Sequence, residues 1–280
     1  VGAGPAGLEA AMSLGKRGYE VTVAESRREL GGRVTLESAL PGLAEWARVR
    51  DYRLNQIGKL PNVEILREST VDEAQILEFA ADHVVIATGS RWRRDGRGRW
   101  NETPIPGWDS RSVITPDDIM AGFMPAGPVV VFDDDHYYMG GVIAEALRRA
   151  GLDVTLVTPA NEVSTWTTKT EEQHRIQARL LGLGIVLETG TALASVGGDA
   201  VVLESIHTGE TREVEASSVV MITSREPQAD LYHALVGRIA IQRVGDCLAP
   251  GTIAAAVYSG HKYARQLDAP APGGVPFRRE

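Results

Sequence analysis

Val1-Gly2-Ala3-Gly4-Pro5-Ala6-Gly7 opens the chain with a G-x-G-x-x-G spacing, and Val21-Thr22-Val23-Ala24-Glu25 follows about one helix length later. Gly7 to Gly18 reads as that helix. The glycines therefore sit in a strand–helix–strand context, which lifts the pattern above coincidence. Gly2 permits the tight turn, Gly4 lets the backbone meet a pyrophosphate, and Gly7 lets helix and strand pack closely. Glu25 ends the second strand, where a carboxylate accepts hydrogen bonds from ribose hydroxyls and disfavours a 2′-phosphate. Gly31-Gly32-Arg33 adds a second glycine turn with a cation, suited to approaching a diphosphate or a flavin.

The middle of the chain repeats this plan with different residues. Val129 to Phe132 reads as a strand, Val142 to Ala150 as a helix and Val154 to Val157 as a strand. The turn between the first two should be glycine-rich, yet it reads Phe132-Asp133-Asp134-Asp135-His136-Tyr137-Tyr138-Met139-Gly140-Gly141. A phosphate cradle needs backbone N–H groups free to approach an anion, and three consecutive carboxylates repel one. The chain is thus expected to hold one nucleotide, not two. Asp133, Asp134, Asp135 and His136 carry ligand types that suit a cation. Consecutive residues on one loop rarely converge on one ion, so no metal site is expected and a helix-capping acidic turn is preferred.

Elsewhere strand and helix patterns alternate, as in a doubly wound α/β fold. His83-Val84-Val85-Ile86-Ala87-Thr88-Gly89 is an apolar strand ending in Ala-Thr-Gly, and a Gly/Pro-rich stretch at Gly122 to Pro128 marks a boundary. A helix is expected around Glu171 to Leu183, with Glu171, Glu172 and His174 on a solvated face. Hairpin-like strands are expected about Ile185–Leu187, Ala200–His207 and Thr211–Glu215, and a further strand at Val219–Thr223. Arg243-Val244-Gly245-Asp246 leads into a helix over Gly251 to Leu267, whose N-terminal dipoles favour an anion while Asp246 can bond a sugar hydroxyl. The segment Ala269 to Gly274 is linker-like. The expected fold is two Rossmann-like, FAD/NAD(P)-binding-type three-layer α/β domains, the second inserted into the first. Residues 1–124 and 237–280 form the FAD/ADP-type domain, and 125–236 an NAD(P)-binding-like domain with a degenerate phosphate loop.

Composition excludes several classes. The 280 residues carry 29 basic and 37 acidic side chains, a net charge of −8, which argues against a nucleic-acid surface. Arg91, Arg93, Arg94, Arg97 and Arg99 interleave with Trp92, Trp100 and Trp108, but a loop packing on a neighbouring domain fits an acidic chain better. No apolar run approaches the ~20 residues of a membrane span, and a cytoplasmic location is expected. The single cysteine, Cys247, cannot hold an iron–sulfur cluster or a structural zinc alone, and a buried, inert thiol is its default reading. Val1 starts inside a strand that normally has apolar residues before the glycine loop, so the chain reads as cut from a longer polypeptide.

Gly2 to Gly7, Glu25, Ala87-Thr88-Gly89 and Gly245-Asp246 together resemble the flavoproteins with two dinucleotide-binding domains. Narrower segments resemble the C-terminal half of the trimethylamine dehydrogenase and histamine dehydrogenase family. They include Gly31-Gly32-Arg33-Val34, Ala39-Leu40-Pro41-Gly42-Leu43, Asp51-Tyr52-Arg53, Ile86-Ala87-Thr88-Gly89-Ser90-Arg91-Trp92 and Pro104-Ile105-Pro106-Gly107. Downstream come the Asp133–Gly140 loop, Val163-Ser164-Thr165-Trp166-Thr167, Val244-Gly245-Asp246-Cys247-Leu248-Ala249-Pro250 and Val275-Pro276-Phe277-Arg278-Arg279-Glu280. The resemblance spans nearly the whole chain and lies closer to the histamine dehydrogenase side.

It implies an oxidoreductase whose N-terminal (β/α)8 barrel carries FMN and a four-cysteine 4Fe–4S cluster. Electrons would pass to an electron-transferring flavoprotein, and the assembly would be a homodimer. This region would hold ADP, or alternatively FAD, with no catalytic residue of its own. The nucleotide contacts are expected from Gly2, Gly4, Pro5, Ala6 and Gly7 in the loop and from Glu25 and Ser26 after the second strand. Gly32, Arg33 and Val71 add to them, with Ala87, Thr88, Gly89 and Asp246. Two other readings stand beside it: an FAD-dependent NAD(P)H oxidoreductase of the dienoyl-CoA reductase type, and a free-standing subunit that senses adenine nucleotide.

Overall fold

The computed structural model describes residues 1–269; most of the linker-like segment and all of 275–280 lie outside the described residues. The chain forms two compact units. The first comprises Val1–Thr35, Trp46–Gly89 and the chain from Pro227 onward, and the second comprises Leu36–Glu45 and Ser90–Glu226.

In the first unit, helix Pro5–Lys16 begins with proline at its first turn, where a missing N–H costs no intrahelical bond. This helix is buried nearly all round, from Ala6 to Gly15. One face packs Leu8, Ala11 and Met12 against Val23, Leu30 and Ile57. The other packs Ala6, Ala10 and Leu14 against Val244, Tyr263 and Ala264. Helix Ile253–Gln266, capped by Thr252, whose hydroxyl accepts from the Ala255 N–H, crosses the opening helix at Gly260. A Cβ there would stand 2.1 Å from the Ala6 carbonyl oxygen, so the close approach needs glycine. Strand Val21–Ala24 pairs in parallel with Val63–Leu66, and strand Val84–Ile86 with Ile241–Arg243.

The second unit is built on a parallel five-stranded sheet in the order Val113–Ile114, Ser218–Ile222, Val129–Asp133, Val154–Val157, Val186–Glu188. Its central strands, VVVFD and SVVMI, are buried at every residue, as continuous apolar runs in parallel sheets should be. Helix Met139–Arg149 packs Ile143 and Leu147 with Leu156 and Leu180 on one face of the sheet. On the other face Val130, Phe132 and Met221 meet Leu193 and Leu203 of a three-stranded antiparallel sheet, Thr191–Val196, Ala200–Ser205 and Thr211–Glu215. The α/β, Rossmann-type expectation holds.

Several local readings are corrected. Residues 185–187 are not part of a hairpin: Val186–Glu188 is a parallel edge strand beside Val154–Val157. Residues 90–124, expected with the first domain, pack in the second unit, because Val113–Ile114 pairs with Ser218–Ile222. The helix expected from Glu171 starts at Gln173. Glu171 turns left-handed at φ +60°, and the Glu172 carboxylate accepts from the Tyr138 and Thr170 hydroxyls instead of facing solvent on a helix.

Candidate functional site

The three fingerprint glycines are held by different causes. Gly2 has φ +99°, and a Cβ on it would stand 2.5 Å from the Ala87 carbonyl oxygen. A Cβ on Gly7 would stand 2.0 Å from the carbonyl oxygen of Gly2. The fold itself therefore requires both. Around Gly4 nothing lies within 4 Å of that position. Gly4 sits at the N-cap of Pro5–Lys16 with no side chain capping the helix, so the positive end of a 12-residue helix faces open space. Glycine at position 4 keeps an approach clear that the protein does not fill.

Neighbouring segments close round this loop. Gly31 N–H donates to Ala3 O at 2.8 Å, and a Cβ on Gly32 would come within 3.1 Å of Gly4 Cα. Arg33 then opens the short helix Arg33–Glu37. The buried Glu25 carboxylate reaches under the loop: Oε2 accepts from Ala3 N–H at 2.8 Å, and Oε1 accepts from Arg27 N–H at 2.9 Å and from the Ser26 hydroxyl at 3.3 Å. A carboxylate offers about four acceptor positions, so one remains for a ligand hydroxyl. Glu25 thus fixes the loop from below as well as presenting an acceptor beside it, a role that its strand-end position alone did not reveal.

On the other flank, Ala87 N–H donates to Val1 O at 2.8 Å. The Thr88 hydroxyl donates to Gln228 O and lies 3.4 Å from Cys247 Sγ, and Gly89 follows at φ +78°. Cys247 is fully buried and donates to the same carbonyl at 3.3 Å. Gly245, at φ +65°, would place a Cβ 2.5 Å from that of Ala6, which brings the Gly-Asp turn against the start of the opening helix. Asp246 Oδ1 accepts from Gly251 N–H at 3.1 Å and so pins the turn into helix Ile253–Gln266. Val71 packs, as Val1 does, against the apolar cluster of Ile76, Val84 and Ile86. Ser259, whose hydroxyl accepts from Gly245 N–H at 2.9 Å, and Gln228 had no motif to announce them.

In the second unit the equivalent turn is filled from within. Asp133 and Asp134 are completely buried. Asp133 Oδ1 accepts from Asp135 N–H at 3.2 Å and His136 N–H at 3.0 Å, and a Cβ on Gly140 would stand 2.3 Å from Asp133 Oδ2. Asp134 Oδ2 accepts from Arg99 N–H at 2.5 Å and Trp100 N–H at 2.8 Å, and Oδ1 lies 3.2 Å from His136 Nε2. Thr158 Oγ1 holds the other ring nitrogen of His136 at 3.2 Å. Burial pushes the Asp133 carboxyl up to about 7, with Asp135 adding to the shift. Among the described residues no group of three or more His, Cys, Asp or Glu could hold a metal ion. The arginine–tryptophan stretch belongs to the same unit. Trp92 is buried, Arg93 pairs with Asp95 at 2.5 Å, and Arg91 pairs with Glu226 at 3.1 Å.

A glycine loop, helix, strand and strand-end acid in the first unit, with an inserted α/β unit, define a nucleotide-binding flavoprotein fold. The family described as pyridine nucleotide-disulphide oxidoreductase matches residues 1–121. The chain corresponds to the C-terminal part of the trimethylamine dehydrogenase family. It is 33% identical over 316 residues to dimethylamine dehydrogenase of Hyphomicrobium sp. (strain x), covering all of this chain and 43% of that protein. Histamine dehydrogenase from Rhizobium sp. 4-9 superposes with a TM-score of 0.96 at 45% identity, over 100% of this chain and 45% of that one. The 6-hydroxypseudooxynicotine amine oxidase from Pseudomonas geniculata N1 gives 0.93 at 42% identity, over 96% of this chain and 41% of that one. These relatives are oxidoreductases, and the chain spans less than half of their length. No helix among the described residues is long and apolar enough to cross a membrane.

Proposed function

We propose that the first unit holds ADP as the nucleotide-binding region of a longer amine dehydrogenase, and that this region performs no redox step of its own. The observation that carries the reading is the open N-cap at Gly4 over a helix N-terminus, flanked by the Glu25 carboxylate. A diphosphate would meet main-chain N–H groups and the helix dipole there, and a ribose would meet the free acceptor position of Glu25. Ser26, Arg33, Val71, Ala87, Thr88, Gly89 and Asp246 would line the rest of the path. An FAD would use the same phosphate and ribose contacts.

FMN and a 4Fe–4S cluster would supply amine oxidation and electron exit, but the residues present do not fit them: the chain has one cysteine, and a cluster takes four. Those groups, the (β/α)8 barrel that carries them, an electron-transferring flavoprotein as acceptor and a homodimeric assembly belong to the whole protein in this proposal. So does the cytoplasmic location. The functional division would follow the two compact units, the one containing Val1–Thr35, Trp46–Gly89 and the chain from Pro227 onward for the nucleotide, and Leu36–Glu45 with Ser90–Glu226 for the retired second site.

Release of the nucleotide by denaturation, followed by its mass and absorbance, tests the reading. ADP is expected; FAD would move the chain to the reductase alternative, and recovery of no nucleotide would overturn it. NADH should bring about no steady reduction, since the buried Asp134 occupies the second turn.

A further inference from the structure

Helix Ala47–Ile57 buries only Ile57, so polar contacts have to seat the rest of it on the first unit. Two of its arginines, three residues apart, share a face. Arg53 is the anchor: its Nε donates at 2.8 Å to the buried Glu9 carboxylate on helix Pro5–Lys16. Arg50 reaches the turn that carries Gly31, Gly32 and Arg33.

Arg50 holds that turn at both ends. Its methylenes fill the space beside Gly31, where a Cβ would stand 2.5 Å from Arg50 Cδ. Its Nη1 donates to Thr35 Oγ1 at 3.1 Å, and that hydroxyl donates in turn to Leu30 O at 2.6 Å. Thr35 N–H also closes on Gly32 O at 3.2 Å. The arginine is itself fixed, since Nε donates to Asp51 Oδ1 at 2.7 Å and the side chain is only 24% exposed.

The turn needs such support. Gly31 and Gly32 have φ of +105° and +55°, and two glycines bring no stiffness of their own. Its other side meets the glycine loop: Gly31 N–H donates to Ala3 O at 2.8 Å, and a Cβ on Gly32 would stand 3.1 Å from Gly4 Cα. The hold that begins at Arg50 therefore ends at the edge of the open N-cap.

We propose that Arg50 is a positioning residue for the nucleotide site: it holds the Gly31-Gly32-Arg33 turn against Gly4 and so pre-organises the wall beside the diphosphate. The inference rests on the reading that ADP occupies that N-cap. The contacts of Arg50 run to Gly31, Thr35 and Asp51, so it acts through the turn and not as a phosphate ligand. Without it the glycine loop stays intact while the turn samples open states, and binding must then close them at a cost in affinity.

The test compares the 280-residue chain with Arg50→Met, Arg50→Lys and Thr35→Val. Without nucleotide, amide exchange at Gly31 should quicken about tenfold in Arg50→Met and Thr35→Val, while Leu8 N–H, bonded to Gly4 O at 2.9 Å, keeps its rate. In calorimetry ADP affinity should fall about tenfold and that of adenosine, which lacks the diphosphate, by less than about twofold. Arg50→Lys should behave as Arg50→Met, because an ammonium lacks the fork that spans Thr35 and Asp51. Full ADP affinity in the lysine variant would mean direct attraction of charge and overturn the proposal. So would unchanged exchange at Gly31, or equal losses for ADP and adenosine. Should Arg50→Met not fold, Thr35→Val carries the same comparison with the loss of a single hydroxyl. A parent chain that takes up no ADP would sink the proposed function, whereas the hold of Arg50 on the turn is decided by Gly31 exchange alone.

Discussion

At the start of helix Pro5–Lys16 the chain places glycines and leaves the space over Gly4 open; at the start of helix Met139–Arg149 it places Asp133 and Asp134 and leaves none. Both turns precede a helix, and both must satisfy backbone N–H groups at a helix start. The first leaves donors for an anion from outside. The second is filled by carboxylates that bind elsewhere than the helix start. Asp133 takes the N–H groups of Asp135 and His136 within the turn, and Asp134 reaches across to those of Arg99 and Trp100, while Tyr138 at the N-cap makes no side-chain capping bond. The cost is burial of charge, visible in the raised pKa of Asp133.

The contrast can be broken at four points. Gly7→Val should do the most damage, because its side chain would enter the 2.0 Å space below the Gly2 carbonyl. A loss of about 3 kcal/mol and of nucleotide retention is expected in urea unfolding with bound nucleotide assayed in parallel; a variant of wild-type stability would show that helix and loop are not packed as described. Asp134→Ala comes next. It removes the acceptor of two part-buried N–H groups and should cost about 1 kcal/mol, without creating affinity for NADH in a titration. Tight NADH binding by that variant would mean that the second site is plugged and not lost.

Glu25→Ala bears on nucleotide affinity. The Ala3 and Arg27 N–H groups lose their acceptor, and nucleotide affinity should fall about tenfold, or about 1.4 kcal/mol, with discrimination against a 2′-phosphate relaxed. Calorimetry with ADP and its 2′-phosphorylated analogue would expose the error if both affinities stayed unchanged.

The last point concerns pH. Asp133 titrates near 3.8 when unfolded and near 7 in the fold. Between these values the folded chain keeps a proton that the unfolded chain has lost, so this group makes stability decline as pH rises from about 4 to about 7. Asp133→Asn keeps an oxygen for the two N–H donors and should flatten that part of the stability–pH curve. An unaltered slope would place the proton elsewhere.

What could be read beforehand follows from how local each cause is. The opening turn was legible because its glycines answer to φ angles and contacts with their immediate strand and helix. The strand Val129–Asp133 was legible as an unbroken apolar run. Strand Val63–Leu66 was not, since its half-buried and exposed residues alternate and a charged Glu64 interrupts the run. Nor was strand Thr191–Val196, whose mixed polarity follows from pairing with Ala200–Ser205. The acidic turn showed its charge in the sequence but not its partners: Asp134 meets Arg99 N–H from 35 residues away, and no spacing rule reaches that far. The parallel placement of Val186–Glu188 is likewise a tertiary choice, identical in local pattern to a hairpin arm.

The contact of Gly260 with Ala6 gives the nucleotide site a history in time. Ser13 and His261, on the two helices that meet there, are 248 residues apart. At the ~5–20 residues per second of synthesis, the opening helix would wait on the order of tens of seconds for its partner. Until then the face of Ala6, Ala10 and Leu14 lacks its contacts with Val244, Ala256, Tyr263 and Ala264. The inserted unit emerges complete during that interval, so the later-written domain can fold before the earlier-written one closes.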